Sequence, residues 1–241
     1  VELFVSSVTE KTKIRGALEI LCASSEFGQL PLRMAEETQL KQLGMYLPQG
    51  VSPSANYEDA ATKVLVLLQS HFSRLALPAE LRGDLHTILR DSIKLLQALV
   101  DVVASQGWLK PAVAAMELSQ MLVQGLWDKD SVLLQIPHFT AEIVAAMKAV
   151  QVESVFEVLE MEDDVREKVL PLSPAQMSDV ALFCNSYPNI ELSFEVDAEE
   201  GGVVQAGTPV TVSIAMQREV DEDDDEADLG TVRSSRYPHA K

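Results

Sequence analysis

The sequence is short of aromatic residues, cysteines and basic residues, and each shortage argues against a class of protein. Aromatic side chains make up only 5% of the 241 residues, and Leu, Ala and Val dominate instead. That balance favours interdigitated helices over an aromatic-rich β-sandwich. With 47% hydrophobic and 23% charged residues, the composition is typical of a globular protein with a packed core. We therefore expect most of the chain to be helical.

The two cysteines, Cys22 and Cys184, lie far apart, each inside an apolar helical pattern. This placement is typical of reduced thiols in a protein core. The chain begins at Val1 without a basic leader or a small-residue cleavage site, so we expect no secretory signal. It has no run of about 18 apolar residues, which predicts no membrane span. A nuclear or cytosolic compartment fits these features.

Acidic residues outnumber basic ones, since the sequence has 37 Asp and Glu but only 19 Lys and Arg, which gives a formal net charge of −18. Seven of the acids lie together between residues 221 and 228, and removing their seven charges from −18 still leaves −11. Nucleic-acid phosphates require clustered Lys and Arg, so this charge argues against a general nucleic-acid binder. Any RNA contact must be local, and protein partners are favoured. We expect the acidic run to be a solvated, mobile tail.

The sequence also lacks the motifs of an ATPase motor or a metal centre. It has no GxxxxGK[ST] loop to cradle phosphates, and no His follows the acidic run as a DExH box requires. The chain alone is therefore not expected to be an enzyme or to carry a catalytic residue. Zinc-ligand spacing and a calcium loop are absent, so we expect no metal or cofactor. Structural roles are expected for the four histidines, His71, His86, His138 and His239.

Helical periodicity organises the first half of the sequence. Ser7 and Glu10 have capping-box spacing and predict a first helix whose apolar face continues to Leu21. A second helix is predicted over 33–44, with Met34 facing inward.

Three longer helices are predicted next. The one over 58–75 is apolar almost all round, which is typical of a central, buried helix. The pattern over 79–105 predicts a long amphipathic helix, and Pro111 marks the first turn of a helix that continues to about Trp127. We interpret residues 1–129 as a helical bundle.

Shorter elements follow the bundle. Thr140 is the predicted cap of one short helix, and a second is predicted over 153–161. A final helix is predicted where a cap, a first-turn proline and a capping-box partner fall in register at Ser173, Pro174 and Gln176. Short helices joined by tight turns predict a helix-hairpin-helix unit over 130–187.

At Pro188 the hydrophobic pattern changes from the period of a helix to that of a strand. Apolar and polar residues alternate over 190–196 and again over 210–216, which predicts a hairpin-like pair of strands. Two strands cannot close a sandwich of about seven. We therefore interpret 188–241 as the first strands of an incomplete β domain with the acidic tail.

Several segments resemble one protein family in their order and spacing. They are VELF and EKTKIRGALEI, then LLQSHFSRLAL, then DVVASQGWLKPAVAAMELSQMLVQGLWDKDSVLLQIPHFT over 101–140, then VESVFEVLEMEDD and FCNSYPNIELSFEV. With them the chain resembles, nearly end to end, the C-terminal helical module of Brr-type spliceosomal RNA helicases. These helicases belong to the Ski-two-like DExH superfamily, and the module is named after the translocon protein Sec sixty-three. The chain looks closest to the second of their two tandem cassettes.

The resemblance implies a fold and a nucleic-acid contact. The fold is mainly α: a helical bundle, a helix-hairpin-helix subdomain and the first strands of an incomplete immunoglobulin-like domain. In that family the helix corresponding to 79–105 lies along the central channel and touches the translocating strand like a ratchet. By that resemblance, Arg90 and Lys94 would contact phosphates, and His86 and Gln97 would reach sugars or bases.

Structural interpretations compete with nucleic-acid contact at three places. Asp91 and Asp101 weaken the electrostatic case for the long helix, so a solvated helix face is the alternative there. The turn over 136–140 has Pro-His-Phe where nucleic-acid-binding hairpins place Gly-x-Gly, so we expect a structural hairpin. Trp108 and Trp127 have apolar neighbours at helical spacing and are expected to pack between the bundle and the hairpin unit.

The function implied by the resemblance is that of an accessory module of the ATP-dependent helicase that unwinds U4 and U6 RNAs in pre-mRNA splicing. ATP and magnesium would belong to the parent helicase. The module would be a nuclear protein-docking and regulatory platform with a single-stranded RNA contact. Its partners would be spliceosomal proteins and the helicase core of the same protein. We expect no membrane among its partners. Two alternatives remain: a module of a related helicase in transcription coactivation or recombination, or a motor-free translocon-type adaptor.

Overall fold

The computed structural model describes residues 2–34, 36–197, 204, 207 and 209–218. Helices dominate these residues, so the prediction of a mainly α fold is confirmed. The first six are α1 (Glu2–Ser7), α2 (Ile14–Cys22), α3 (Glu36–Gly44), α4 (Ala60–Phe72), α5 (Ala79–Ser105) and α6 (Leu109–Gln124). Four further helices follow, α7 (Ala141–Ala149), α8 (Val155–Glu160), α9 (Asp163–Val169) and α10 (Pro174–Ser186). The strands are β1 (Ile190–Asp197) and β2 (Thr211–Arg218), and single 3-10 turns lie at Ser25–Gln29 and Val132–Gln135.

Helices α1 to α6 share one apolar core. The central helix α4 is buried over most of its surface, as its apolar pattern predicted. Helix α5 has the predicted bounds and buries the predicted apolar face, from Leu81 to Val103. Gly125 ends α6 with φ of +62°, a left-handed conformation that glycine adopts without steric cost.

Two local predictions at the start of the chain are wrong. Ser7 does not cap a helix, because it is the last residue of α1, and α2 begins only at Ile14. Instead, the Thr9 backbone N–H donates to the Thr12 hydroxyl at 2.9 Å in the turn between the two helices. Met34 does not face inward, since α3 begins after it and leaves its side chain 102% exposed.

Helices α7 to α10 surround a second apolar cluster that includes Leu133, Ile136, Met147 and Val180. The predicted caps at Thr140 and Ser173 are confirmed, and Thr140 accepts from the Ile143 backbone N–H. Ser154 and Ser173 each form a complete capping box, with Glu157 and Gln176 respectively. Helix α9 was not predicted, and it has no buried residue that would create an apolar period.

Arg74, just beyond α4, joins the two apolar clusters. Its Nε donates to the carbonyl oxygen of Gly125 at 3.2 Å, and its Nη1 donates to the carbonyl oxygen of Leu134. Beside it, the Trp127 indole N–H donates to the Ser73 hydroxyl at 2.9 Å. The segment after α4 therefore ties the end of α6 to the start of the second cluster.

The strands β1 and β2 form an antiparallel ribbon, which confirms the predicted pair. Leu192 lies opposite Met216, and Phe194 lies opposite Ile214, so one face of the ribbon is apolar and exposed. Assignment to an immunoglobulin-like domain stays a prediction, as do the domain boundaries at 129/130 and 187/188. The acidic run over 221–228, predicted to be a mobile tail, lies outside the described residues.

Candidate nucleic-acid interface

Helix α5 brings the four predicted contact residues together on one surface. His86, Arg90, Lys94 and Gln97 are all exposed, and intervals of four, four and three residues keep them on neighbouring turns. They extend over about 16 Å of the helix axis at 1.5 Å per residue. The four side chains therefore form a row about three turns long.

The charge on this face is mixed. The Arg90 guanidinium donates to Asp91 through Nε at 3.1 Å and through Nη2 at 3.4 Å, and these bonds raise the pKa of Arg90. Lys94 makes no ion pair within the described part of the chain, whereas Asp101 adds an exposed acid one turn beyond Gln97. The described residues therefore leave the charge of Lys94 unpaired and that of Arg90 partly neutralised.

The opposite face of α5 is anchored by a buried charge network that sequence reasoning missed. Lys63 of α4 is 0% exposed, and its Nζ donates to Asp84 Oδ2 at 2.7 Å, to Glu36 Oε2 at 2.6 Å and to the Pro31 carbonyl oxygen at 2.6 Å. An ammonium group has three N–H donors, so each finds an acceptor. The sequence feature that could have revealed this network is a lysine inside a helix that is otherwise apolar almost all round.

Arg33 completes the network at the protein surface. It donates to both carboxylate oxygens of Asp84, at 2.7 and 3.3 Å, and also to Glu36. Burial alone would raise the pKa of Glu36 and of Asp84, but hydrogen bonds from Lys63 and Arg33 outweigh it and lower both pKa values. Two cations and two anions leave the cluster neutral, so it positions α5 without adding net charge.

A groove of about 450 Å³ lies between α5 and α6, next to the polar face of α5. It is lined by Leu96, Gln97, Val100, Asp101, Met116, Ser119, Gln120, Val123 and Gln124. We call this the α5/α6 groove. Its apolar floor is flanked by amide and hydroxyl side chains, and Gln97 belongs both to the groove and to the predicted contact face.

The turn before α7 makes structural contacts. His138 has φ of +65°, and its Nε2 lies 2.7 Å from Asp179 Oδ2 on α10. Pro137 and Phe139 on either side are buried. Side chains, rather than open backbone N–H groups, therefore fill this turn.

His71 and the two tryptophans make structural contacts within the bundle, although the tryptophans were expected to pack between the bundle and the hairpin unit. His71 is buried, and its Nε2 lies 2.9 Å from the Leu122 carbonyl oxygen. Burial lowers the pKa of His71. Trp108 and Trp127 are half-buried and pack against the first apolar core, and Trp127 meets Phe72 edge to face at 5.2 Å between ring centroids.

Neither the sequence motifs nor the described part of the structure offers a site that fits ATP and magnesium. Its sequence contains no phosphate-cradling loop, and within the described ranges no three His, Cys, Asp or Glu side chains are grouped as metal ligands. None of the described helices combines the length and the hydropathy needed to cross a bilayer.

Comparisons with known proteins identify the family. A family model described as the Sec63 Brl domain matches residues 1–239. The chain is 46% identical over 219 residues to the U5 small nuclear ribonucleoprotein 200 kDa helicase of Homo sapiens, covering 91% of this chain and 10% of that protein. It is 39% identical over 244 residues to the DExH-box ATP-dependent RNA helicase DExH12 of Arabidopsis thaliana, covering 100% of this chain and 11% of the relative. It is 38% identical over 246 residues to the Activating signal cointegrator 1 complex subunit 3-like protein of Dictyostelium discoideum, again covering 100% and 11%.

The chain spans about a tenth of the length of the curated relatives that it matches. The family model nevertheless accounts for almost every residue of the chain, including the bundle, the second cluster and the ribbon. The family resemblance that was inferred from the order and spacing of sequence segments is thereby confirmed, and the chain belongs to the Sec63 Brl domain family.

Proposed function

We propose that this chain is an accessory module of an ATP-dependent RNA helicase of the spliceosomal U5 type, in its second cassette. The module does not hydrolyse ATP itself. It guides a single RNA strand along α5 and serves as a docking and regulatory platform for spliceosomal proteins and for the helicase core. ATP and magnesium act in the parent helicase, which unwinds U4 and U6 RNAs in the nucleus.

The names of the relatives support the parent that we propose. One is a helicase of the U5 small nuclear ribonucleoprotein, and another is an ATP-dependent RNA helicase. Both are about ten times as long as this chain, which leaves ample length for an ATPase motor outside it.

The geometry of α5 is the observation that carries the proposed RNA contact. This helix has 27 residues, packs its apolar face into the core and is anchored to α4 and to the segment before α3 through Asp84. Because the backbone of α5 is fixed, Arg90, Lys94 and Gln97 can hold a phosphodiester chain in register. A rigid row of polar side chains suits a strand that slides past it.

The test is charge reversal in the full-length helicase. Arg90→Glu and Lys94→Glu together should lower single-stranded RNA affinity and the unwinding rate about tenfold or more, since two phosphate contacts become repulsive. The affinity of the wild type should fall with rising salt, and the slope should be shallower in the variant.

The matched control is Lys148→Glu, which reverses another exposed lysine on α7. It changes the net charge in the same direction and should leave unwinding unchanged. Wild-type affinity and rate in the Arg90→Glu, Lys94→Glu protein would reject the RNA contact.

A second candidate function rests on the Dictyostelium relative, whose name places it in an activating signal cointegrator complex. Under that alternative, the same α5 face would grip a strand in a helicase of transcription coactivation. Assaying the full-length protein on a U4/U6 duplex and on a DNA duplex of matched length separates the two.

A further inference from the structure

We propose that the α5/α6 groove and the neighbouring surface of α6 form a docking site for a basic amphipathic helix of a partner protein. This inference deepens the proposed docking role of the module, because it assigns that role to a defined surface and a defined kind of partner.

An apolar stripe extends the groove along α6. Leu109, Val113 and Met116 are 76%, 42% and 49% exposed, and Val123 is half-buried on the same side. Their spacing of four, three and seven residues places them on one face of the helix. We call these four residues the α6 stripe. Over 14 residues it measures about 21 Å, the length of about four turns of a partner helix.

The shape of this surface fits a helix better than it fits a nucleotide. A partner helix lays apolar side chains at i, i+3, i+4 and i+7 into such a groove. The floor formed by Leu96, Val100 and Val123 would receive that ridge. A base would need an aromatic surface for stacking, and no aromatic side chain lines the groove.

The charges beside the groove indicate a basic partner. Asp101 is the one ionised side chain among the groove-lining residues. Glu117 is exposed on α6 immediately after Met116, and exposed Lys110 lies two turns before it on the same side of the helix. A helix seated between these two acids would place Lys or Arg on both flanks of its apolar ridge. The formal charge of −18 on the whole chain would steer the same partner toward it.

The probe is a synthetic peptide of about 18 residues, with Leu at helical spacing and Lys or Arg on both flanks. Its binding to the 241-residue chain is measured by fluorescence anisotropy. We expect saturable binding that is about tenfold tighter than that of a scrambled peptide of the same composition. A peptide with Glu in place of Lys and Arg should bind at least tenfold more weakly, because it meets Asp101 and Glu117 with like charge.

Variants of the chain locate the site. Val113→Asn with Met116→Gln should weaken binding about tenfold or more, and Asp101→Asn with Glu117→Gln should weaken it severalfold and reduce its salt dependence. The matched control is Leu182→Gln, at an exposed leucine on α10, which should leave binding unchanged. Circular dichroism of each variant reports whether the helices are retained.

Two outcomes would overturn the proposal. They are wild-type affinity in the stripe variant with its helices intact, and equal binding of the scrambled peptide. Neither of these readouts uses unwinding, so the peptide site and the Arg90 and Lys94 contact can fail independently.

Discussion

Lys63 of α4 donates a hydrogen bond to Asp84 of α5 across 2.7 Å in the interior of the bundle. The lysine is 0% exposed, so its charge is tolerated only because Asp84, Glu36 and the Pro31 carbonyl oxygen surround it. A buried charge without partners would cost several kcal/mol. The network therefore links α4, α5 and the segment that leads into α3, and we call it the three-way joint.

Lys63→Met should destabilise the chain strongly. The substitution leaves Glu36 and Asp84 as buried carboxylates with Arg33 alone, and breaking a buried pair in this way costs about 3 to 5 kcal/mol. Urea unfolding followed by circular dichroism measures the loss. Lys148→Met, on the exposed side of α7, should stay within about 0.5 kcal/mol of the wild type. A loss below about 1 kcal/mol for Lys63→Met would contradict the joint.

The joint also predicts a pH dependence. The pKa values of Glu36 and Asp84 are lowered from ordinary values of 4.5 and 3.8, so the unfolded chain binds protons more readily than the folded one. Their stabilisation is present above those ordinary values and is lost as pH falls through the folded pKa values. Wild type should exceed Glu36→Gln in unfolding free energy at about pH 6, and the gap should shrink at about pH 3. The exposed Glu37→Gln should show almost no gap at either pH, because its i,i+4 pair with Lys41 is a surface pair.

We predict that both the side-chain hydrogen bonds and the backbone conformation of Arg74 affect the free energy of unfolding. Its φ is +53°, which costs a non-glycine residue roughly 1 to 2 kcal/mol. Arg74→Ala keeps that strain and removes the bonds to the Gly125 and Leu134 carbonyl oxygens, at about 1 to 3 kcal/mol. Arg74→Gly loses the same bonds but relieves the strain, so it should be about 1 kcal/mol more stable than Arg74→Ala in urea unfolding. Equal stabilities would show that the backbone relaxes on substitution.

Ser173→Ala should remove the cap of α10. The serine hydroxyl accepts from the Gln176 backbone N–H at 3.4 Å, while Gln176 Oε1 accepts from the Ser173 backbone N–H at 2.9 Å. Loss of such a cap costs about 1 kcal/mol. A double-mutant cycle with Gln176→Ala should give a coupling energy above zero, measured by thermal and urea unfolding. Strict additivity of the two substitutions would contradict a working capping box.

The features predicted correctly from sequence are those determined by residues close together along the chain. The bounds of α5 follow from Pro78 before it and a long apolar period within it, and the ribbon follows from strict alternation after Pro188. The caps at Thr140 and Ser173 were recognisable because cap and partner lie three residues apart. Each of these signals lies within one element and the residues that flank it.

The features that sequence reasoning missed depend on distant pairs. Lys63 meets Glu36 and Asp84 across 27 and 21 residues, and Arg74 meets Leu134 across 60. No period or spacing encodes such partners, because they are set by how helices cross. The wrong prediction for Met34 has the same origin, since Glu36 rather than Met34 turns inward to reach the buried lysine.

Helix α5 is about 40 Å long and is held by ionic bonds near one end, at Asp84, only six residues from Arg90. A force on a strand bound at Arg90 and Lys94 would therefore be transmitted through Lys63 to the first turn of α4, rather than to the turns at the ends of α5. Because α4 is enclosed by the other helices of the bundle, such tension would spread over the whole core. The proposed RNA contact would thus begin within about two turns of the ionic anchor of α5.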